Sequence, residues 1–252
     1  MSFARDTISI FSRSMRASIR QPLWVAIGLL QPILYLTLFG PLLQTVAKTT
    51  AIEGDAWQIF VPGLLVQLGI FGGLFVGFGI IAEWRSGVIE RQLVTPASRW
   101  AIITGRSLRD VVVIAVQACV LCGAAYFMGL RIPIVAFLVG LVLVALLGAA
   151  FSFISNAVGI ATKSEDALAP MLNSLALPIL LLSGILLPMT LAPGWLQTLS
   201  NFNPFKHIVE ALRAVFRSDF TNPIVGIGLI LAIALVVLGA WFGNRVLTAQ
   251  TK

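Results

Sequence analysis

Polar and apolar positions along this chain are sorted on the scale of whole helices. Formal charges come in clusters, and six runs without any charge lie between them: 21–47, 56–82, 111–130, 132–162, 167–205 and 220–244. Each run holds at least 20 residues, and an α-helix needs about 20 apolar residues to cross the hydrocarbon of a bilayer. The pattern predicts an all-α polytopic membrane protein with six transmembrane helices, at about 23–43, 59–82, 111–130, 133–160, 167–187 and 224–243. The fifth run is too long for one helix, so its second part must do something else.

The first 22 residues carry a different pattern. At about 100° per residue, Ile8, Phe11, Met15 and Ile19 share one arc, and Arg5, Arg13, Arg16 and Arg20 share an adjacent one. A helix of this kind lies in the membrane interface with its arginines among anionic head groups, and Pro22 ends it before the first span. The chain therefore divides into an N-terminal amphipathic interfacial helix, 1–22, and a single six-span domain, 23–252.

Span two repeats Gly69, Gly73 and Gly77 along one helix face. Small residues at this spacing let another helix approach closely, either within the chain or across a subunit interface. Phe71, Phe75 and Phe78 lie on another part of the same helix. Only Arg131 and its neighbours separate spans three and four, which form a tight hairpin. Ser164, followed by Glu165 and Asp166, reads as a helix N-cap with acids in the first turn. Span five then runs through Pro170 and Pro178, which bend it. Residues 189–221 are first rich in Pro, Gly and Asn and then helical, with Asn203-Pro204 as cap and first-turn proline. Phe205, Ile208, Val209, Leu212 and Phe216 form an apolar stripe there, opposite Lys206, Glu210, Arg213 and Arg217. This segment is expected to be an outer re-entrant or interfacial helix pair before the last span.

Composition agrees with a bilayer environment: 58% hydrophobic, 11% charged and a mean hydropathy of +0.98, against about a quarter charged in soluble domains. A net charge of +7 would suggest nucleic acid in a soluble protein. In a membrane protein it sets orientation, because Lys and Arg accumulate on the cytoplasmic side. With residues 1–22 inside, the inner segments hold 12 basic residues and the outer ones five, so both termini are expected in the cytoplasm and no nucleic-acid partner is expected. No small-residue cleavage site clearly follows the first apolar run, which argues against a cleaved signal peptide. Cys119 and Cys122 form a CxxC inside span three with no other soft ligand nearby, which favours packing over redox or metal chemistry.

The chemistry left open is narrow. No G-x-x-x-x-G-K-[ST] occurs, so the chain has no Walker loop for ATP. His207 is the only histidine, and nothing orients it toward Ser183 or another nucleophile. A lipid transferase would need clustered acids or histidines, and none is evident. Spans three to six hold no internal acid or base, with Arg109 and Asp110 at one end. An ion-coupled carrier usually needs such groups, so any transport must draw its energy from elsewhere.

One segment stands apart. Residues 82–110 gather eight of the 27 charges: Glu83, Arg85, Glu90, Arg91, Arg99, Arg106, Arg109 and Asp110. A simple link between two spans needs only a few residues. This one has a glycine break at Gly87, a short apolar face of Val88, Ile89 and Leu93, and a cap-and-proline pair at Thr95-Pro96 that starts a second short helix. It reads as a docking element for a soluble partner.

The pattern E-x-R-x-G-x-x-E-R-x-x-x-T-P from Glu83, followed by G-R-S-L-R-D from Gly105, resembles the first cytoplasmic loop of membrane (permease) subunits of type-2 ABC exporters, in particular the daunorubicin-resistance-like permeases. "LLSGILLP" at 181–188, Pro193-Gly194-Trp195-Leu196, Asn203-Pro204 and Glu210-Ala211-Leu212-Arg213 extend the resemblance over nearly the whole chain. The resemblance implies that residues 83–99 hold a coupling helix seated on a separate ATPase subunit. Arg85, Gly87, Val88, Glu90, Arg91, Leu93, Thr95, Pro96 and Arg99 would then form the ATPase-docking set. Residues 1–22 would be the connecting helix, and 189–221 the outer helices that close the exit. The active unit would be two permeases and two ATPases, with ATP and Mg held by the partner and no cofactor in this chain. A path between the two copies would be lined from spans one, two and five, with Gln31, Gln67, Phe71, Phe75, Phe78 and Asn173 as candidates. An aromatic, nearly uncharged lining suits an amphipathic or lipidic cargo such as a drug, lipid or glycolipid. The setting implied is a bacterial plasma membrane, and the excess of arginine over lysine, 13 to four, fits a GC-rich bacterial genome. The competing reading is a structural or insertase-like membrane protein with no ATPase coupling.

Overall fold

The computed structural model describes residues 3–49, 55–89, 98–186 and 189–249, with no strand among them. Helix α1 spans Phe3–Ile19, α2 Pro22–Thr49, α3 Ala56–Leu74, α4 Val76–Arg85, α5 Arg99–Phe127, α6 Ile134–Thr162 and α7 Glu165–Leu182. After a short 3₁₀ turn at Met189–Leu191 come α8 Gly194–Asn201, α9 Pro204–Phe216 and α10 Pro223–Ala249. Among the described residues, six helical segments are long and apolar enough to cross a membrane: Val25–Gln44, Ala56–Arg85, Trp100–Phe127, Ile134–Thr162, Glu165–Leu182 and Pro223–Val246. The chain is an all-α, multi-pass membrane protein.

Helix α6 is the axis of the bundle, with α3, α4, α5 and α10 packed around it. Its seam with α3 and α4 is built on the glycines. A Cβ at Gly73 would lie 2.8 Å from the Gly148 carbonyl, and one at Gly77 would lie 2.7 Å from the Ser155 carbonyl. Gly69 meets the Val144 carbonyl and Leu147. All three glycines of the repeat therefore face α6 of the same chain; α6 answers with Gly159, which faces Gly77 and Ile80, while its Gly148 gives room to Ile114 of α5. Such close approach is what small residues allow where no water-driven hydrophobic effect holds helices together.

Span two is broken at Phe75, where α3 passes into α4. The break frees the Leu74 carbonyl and the Gly77 amide from the helical ladder. Ser155 of α6 takes both: its hydroxyl donates to the Leu74 carbonyl, and its oxygen accepts from the Gly77 N–H at 2.9 Å. Inside a membrane a freed backbone group must find such a partner.

Four expectations are corrected by the packing. Span three starts near Arg99 rather than Val111; Ser98 caps it by accepting from the Ala101 N–H at 3.1 Å. Thr95 and Pro96, the cap read from the sequence, lie outside the described residues. Arg106, Arg109 and Asp110 therefore sit within a membrane-length helix and not at its end; Arg106 and Asp110 are buried. The amphipathic reading of α1 is not among these: Asp6, Thr7 and Ser14 are buried, and Ile8 and Ile19 of the apolar arc are exposed on the side away from the bundle. Ser164 stands at the N-cap of α7, yet its side chain makes no capping bond. In α9, Arg213 leaves the charged stripe and is buried with Val209, Leu212 and Phe216.

Candidate functional site

The ends of α4 and α6 and the starts of α5 and α7 converge at one pole of the bundle. Arg85 and Glu165 form an ion pair at 3.1 Å, and the Lys163 ammonium sits 4.1 Å from the centroid of the Trp84 ring. Gly87 turns the chain with φ +71°, a conformation that a side chain makes costly. Residues 88–89 resume helix. Ile89 is buried among Ile80, Ile103, Phe153 and Ile160, which anchors the start of the segment to the bundle. Val88 is half-buried and Arg85 exposed. Glu90, Arg91, Leu93, Thr95 and Pro96 lie outside the described residues, and Arg99 opens α5.

Beneath this pole lies a buried polar cluster. Arg106 on α5 pairs with Glu83 on α4, so one ion pair clasps the two flanks of the 83–99 segment. One turn further along α5, the Asp110 carboxylate accepts from the Ser152 hydroxyl at 2.5 Å and lies 3.0 Å from the Arg109 guanidinium. Asn156 donates to the Ser152 oxygen at 3.1 Å, and the Ser107 hydroxyl lies 3.2 Å from it. Arg106 is 1% exposed and Asp110 2%. Buried charge of this kind persists only when paired and hydrogen-bonded. The cluster binds α4, α5 and α6 into one unit directly under the charged pole. Its signal in the sequence is the i, i+3, i+4 spacing of Arg106, Arg109 and Asp110, matched by Ser152, Ser155 and Asn156 within an apolar span. Those residues belong to no candidate set read from the sequence.

The candidate path residues are split. Phe71, Phe75 and Phe78 form a ladder along span two, with ring centroids 5.9 and 6.0 Å apart. Phe75 is exposed and its two neighbours half-buried. Gln67 is wholly buried inside the bundle. Gln31 is exposed on α2, where it donates to the Tyr35 hydroxyl at 3.4 Å, and Asn173 is exposed on α7.

At the opposite pole, Asn203 caps α9 by accepting from the Phe205 N–H at 3.0 Å, with Pro204 in the first turn. Arg213 reaches from α9 into the bundle and donates to the Ile59 carbonyl at 2.9 Å and the Gly184 carbonyl at 2.7 Å. Gly184 has φ +70°, and its carbonyl receives the guanidinium from beyond the end of α7. Burial pushes the Arg213 pKa down to about 10, so the group stays charged at neutral pH. One side chain thus ties the outer helix to the ends of spans two and five.

A helical bundle with six membrane-length spans, a charged pole and a buried polar cluster beneath it defines the class of a multi-pass membrane protein. The chain matches the ABC-2 type transporter family over residues 5–216, and it belongs to that family. It is 27% identical over 243 residues to a protein named as the transport permease ycf38 of Cyanophora paradoxa, covering 90% of this chain and 84% of that one. It is 26% identical over 240 residues to the daunorubicin resistance ABC transporter permease protein DrrB1 of Streptomyces coeruleorubidus, covering 93% and 83%. A third relative, named as doxorubicin resistance ABC transporter permease protein DrrC of Mycobacterium tuberculosis, is 22% identical over 227 residues. The chain is the permease subunit of an ABC transporter.

Proposed function

We propose that this permease works as an exporter, with two copies forming the path and a separate ABC ATPase seated on residues 83–99 of each. The carrying observation is the family match across 5–216, which takes in the charged pole. In this reading residues 1–22 are the connecting helix, 83–99 the coupling segment and 189–221 the outer pair that closes the exit. Arg85, Glu90, Arg91 and Arg99 make polar contacts with the ATPase, Val88 and Leu93 pack into it, and ATP and Mg stay on that partner. The charged pole is cytoplasmic, with both termini, in a bacterial plasma membrane.

The clasp supports a coupling role. Glu83 and Arg106 flank the segment and are joined to each other, so a push on 83–99 would move α4 and α5 together and, through Asp110 and Ser152, α6. The cargo is amphipathic or lipidic: the Phe71–Phe75–Phe78 ladder is partly open, and two relatives are named for resistance to daunorubicin and doxorubicin.

The test is co-purification in detergent with stand-alone ABC ATPase subunits of the same genome, wild type against Gly87→Trp and Glu90→Arg. Wild type should retain the ATPase and stimulate its hydrolysis, and both variants should lose it while keeping their own monodisperse profile. An ATPase that never binds wild type, or that binds all three equally, overturns the reading in favour of a membrane protein without ATPase coupling.

A further inference from the structure

Residues 163–168, at the passage from α6 to α7, lie against the last turns of α4 through three contacts. Lys163 closes α6 in the left-handed region, with φ +51°, and its N–H donates to the Gly159 carbonyl at 3.0 Å. A lysine takes that conformation at a steric cost, so its surroundings must favour it. From there its ammonium lies 4.1 Å from the centroid of the Trp84 ring, a cation–π pair. Glu165, the first residue of α7, pairs with Arg85 at 3.1 Å. One turn on, Leu168 is wholly buried, and a Cβ at Gly77 would lie 3.0 Å from its Cδ2. Trp84 and Arg85 are the last residues before Ser86 and the turn at Gly87.

The two ionic contacts are not what holds this pole together. The Arg85 and Glu165 side chains are 58% and 42% exposed, and an exposed ion pair adds little stability. The Arg106–Glu83 pair and the buried Ile80, Ile89 and Ile103 already bind α4 to α5. What the ion pair and the ring contact fix is where α4 ends, and so the course on which the chain leaves Gly87. They do this from the first turn of span five. Among the described residues, the buried positions of α7 are Leu168, Leu172 and Ala176, four apart on one face, whereas Met171, Leu177 and Leu181 are exposed. Beyond the far end of α7 stands Gly184, whose carbonyl receives Arg213. We propose that Glu165 and Lys163 are positioning residues of the docking segment: they set the course of the chain into 83–99 and join that segment directly to span five. The proposal rests on the exporter reading for what docks there, and on these contacts alone for the positioning. Arg85 has five N–H donors, so its bond to Glu165 leaves others for the ATPase.

The first readout needs no ATPase: amide hydrogen exchange of residues 84–89 in the full chain in detergent. Glu165→Arg and Arg85→Glu should each speed exchange there by about two- to fivefold, the range that an exposed ion pair supports. Arg85→Glu/Glu165→Arg should return it close to the wild-type rate. Glu210→Gln, which removes the Lys206–Glu210 pair on α9, should leave it unchanged, and all melting temperatures should agree within about 3 °C. If Glu165→Arg fails to fold, Glu165→Gln and Lys163→Gln are read in the same way. Equal exchange in every variant overturns the proposal, as does a charge swap that exchanges as fast as the single changes. The second readout is hydrolysis by a stand-alone ABC ATPase that wild type retains. Glu165→Gln and Lys163→Gln should keep that ATPase bound and lower its stimulation about twofold or more. Full stimulation in both variants overturns the link from the docking segment to span five. If no ATPase binds wild type, the exporter reading fails, and exchange still decides the positioning.

Discussion

Arg213 carries a charge into the bundle, where the Ile59 and Gly184 carbonyls receive it. Burial disfavours the charged form, which is why its pKa falls below the ordinary guanidinium value. The sign follows: this charging cost is fully present below about 10 and is relieved only as pH rises through that value. The pH dependence of thermal stability between about 6 and 8 should therefore be the same in wild type and Arg213→Met. The variant itself should melt lower, by an amount equivalent to about 2–3 kcal/mol for two carbonyls left without their donor; an unchanged melting temperature would mean that the contacts contribute nothing. The clasp makes a sharper residue-level case. Glu83→Gln leaves Arg106 buried against a neutral partner and should cost up to ~3 kcal/mol, reduced because the Glu83 side chain is 34% exposed. Glu83→Gln/Arg106→Gln removes both charges and should be less damaging than the sum of the single changes. A double-variant cycle by thermal melting decides it, and additivity would count against the pair.

Among elements, the α3–α6 seam decides which glycines matter. Gly73→Leu must drive a branched side chain into the Gly148 carbonyl and Phe151, a backbone obstacle that cannot rotate away. Overpacking of this kind costs about 1–3 kcal/mol or more. Gly79 on α4 has open space where its Cβ would go, so Gly79→Ala should be neutral or stabilising by up to ~1 kcal/mol. The pair of melting curves in detergent checks both, and equal behaviour would remove the seam from the account. The element scale also shows what a sequence pattern alone misplaces. The 111–130 run marks where charge stops, but α5 starts at Arg99, because Arg106 and Asp110 find partners on α4 and α6. Charge-free length underestimates a helix whose charged turns are paired.

For the whole molecule, burial is uneven. An apolar stretch of span two is 67% buried, whereas those of spans one, five and six are 17%, 18% and 17% buried. Exposed Leu38 on α2 and Leu181 on α7 belong to spans that the two-copy reading places between protomers. In a background lacking Cys119 and Cys122, Leu38→Cys or Leu181→Cys should give disulfide-linked dimers in native membranes, and exposed Leu229→Cys on α10 should not. Cross-linking at Leu229 alone would relocate the interface, and none at any position would favour a single copy in lipid.

Charge-free runs, cap residues and the E-x-R-x-G-x-x-E-R pattern were enough to determine six spans, an amphipathic first helix, the Asn203-Pro204 start of α9 and the family. Those features are local, because crossing a bilayer constrains each helix by its own length and polarity. Tertiary structure alone decided which face of each helix is used. Gly69, Gly73 and Gly77 turn to α6 of their own chain, Arg213 turns inward to two carbonyls that lie far away in sequence, and α1 packs through Asp6, Thr7 and Ser14, leaving Ile8 and Ile19 free. In each case the choice belongs to partners on other helices. A polar group in a membrane goes where a complementary group stands, and its own sequence neighbours do not record that place.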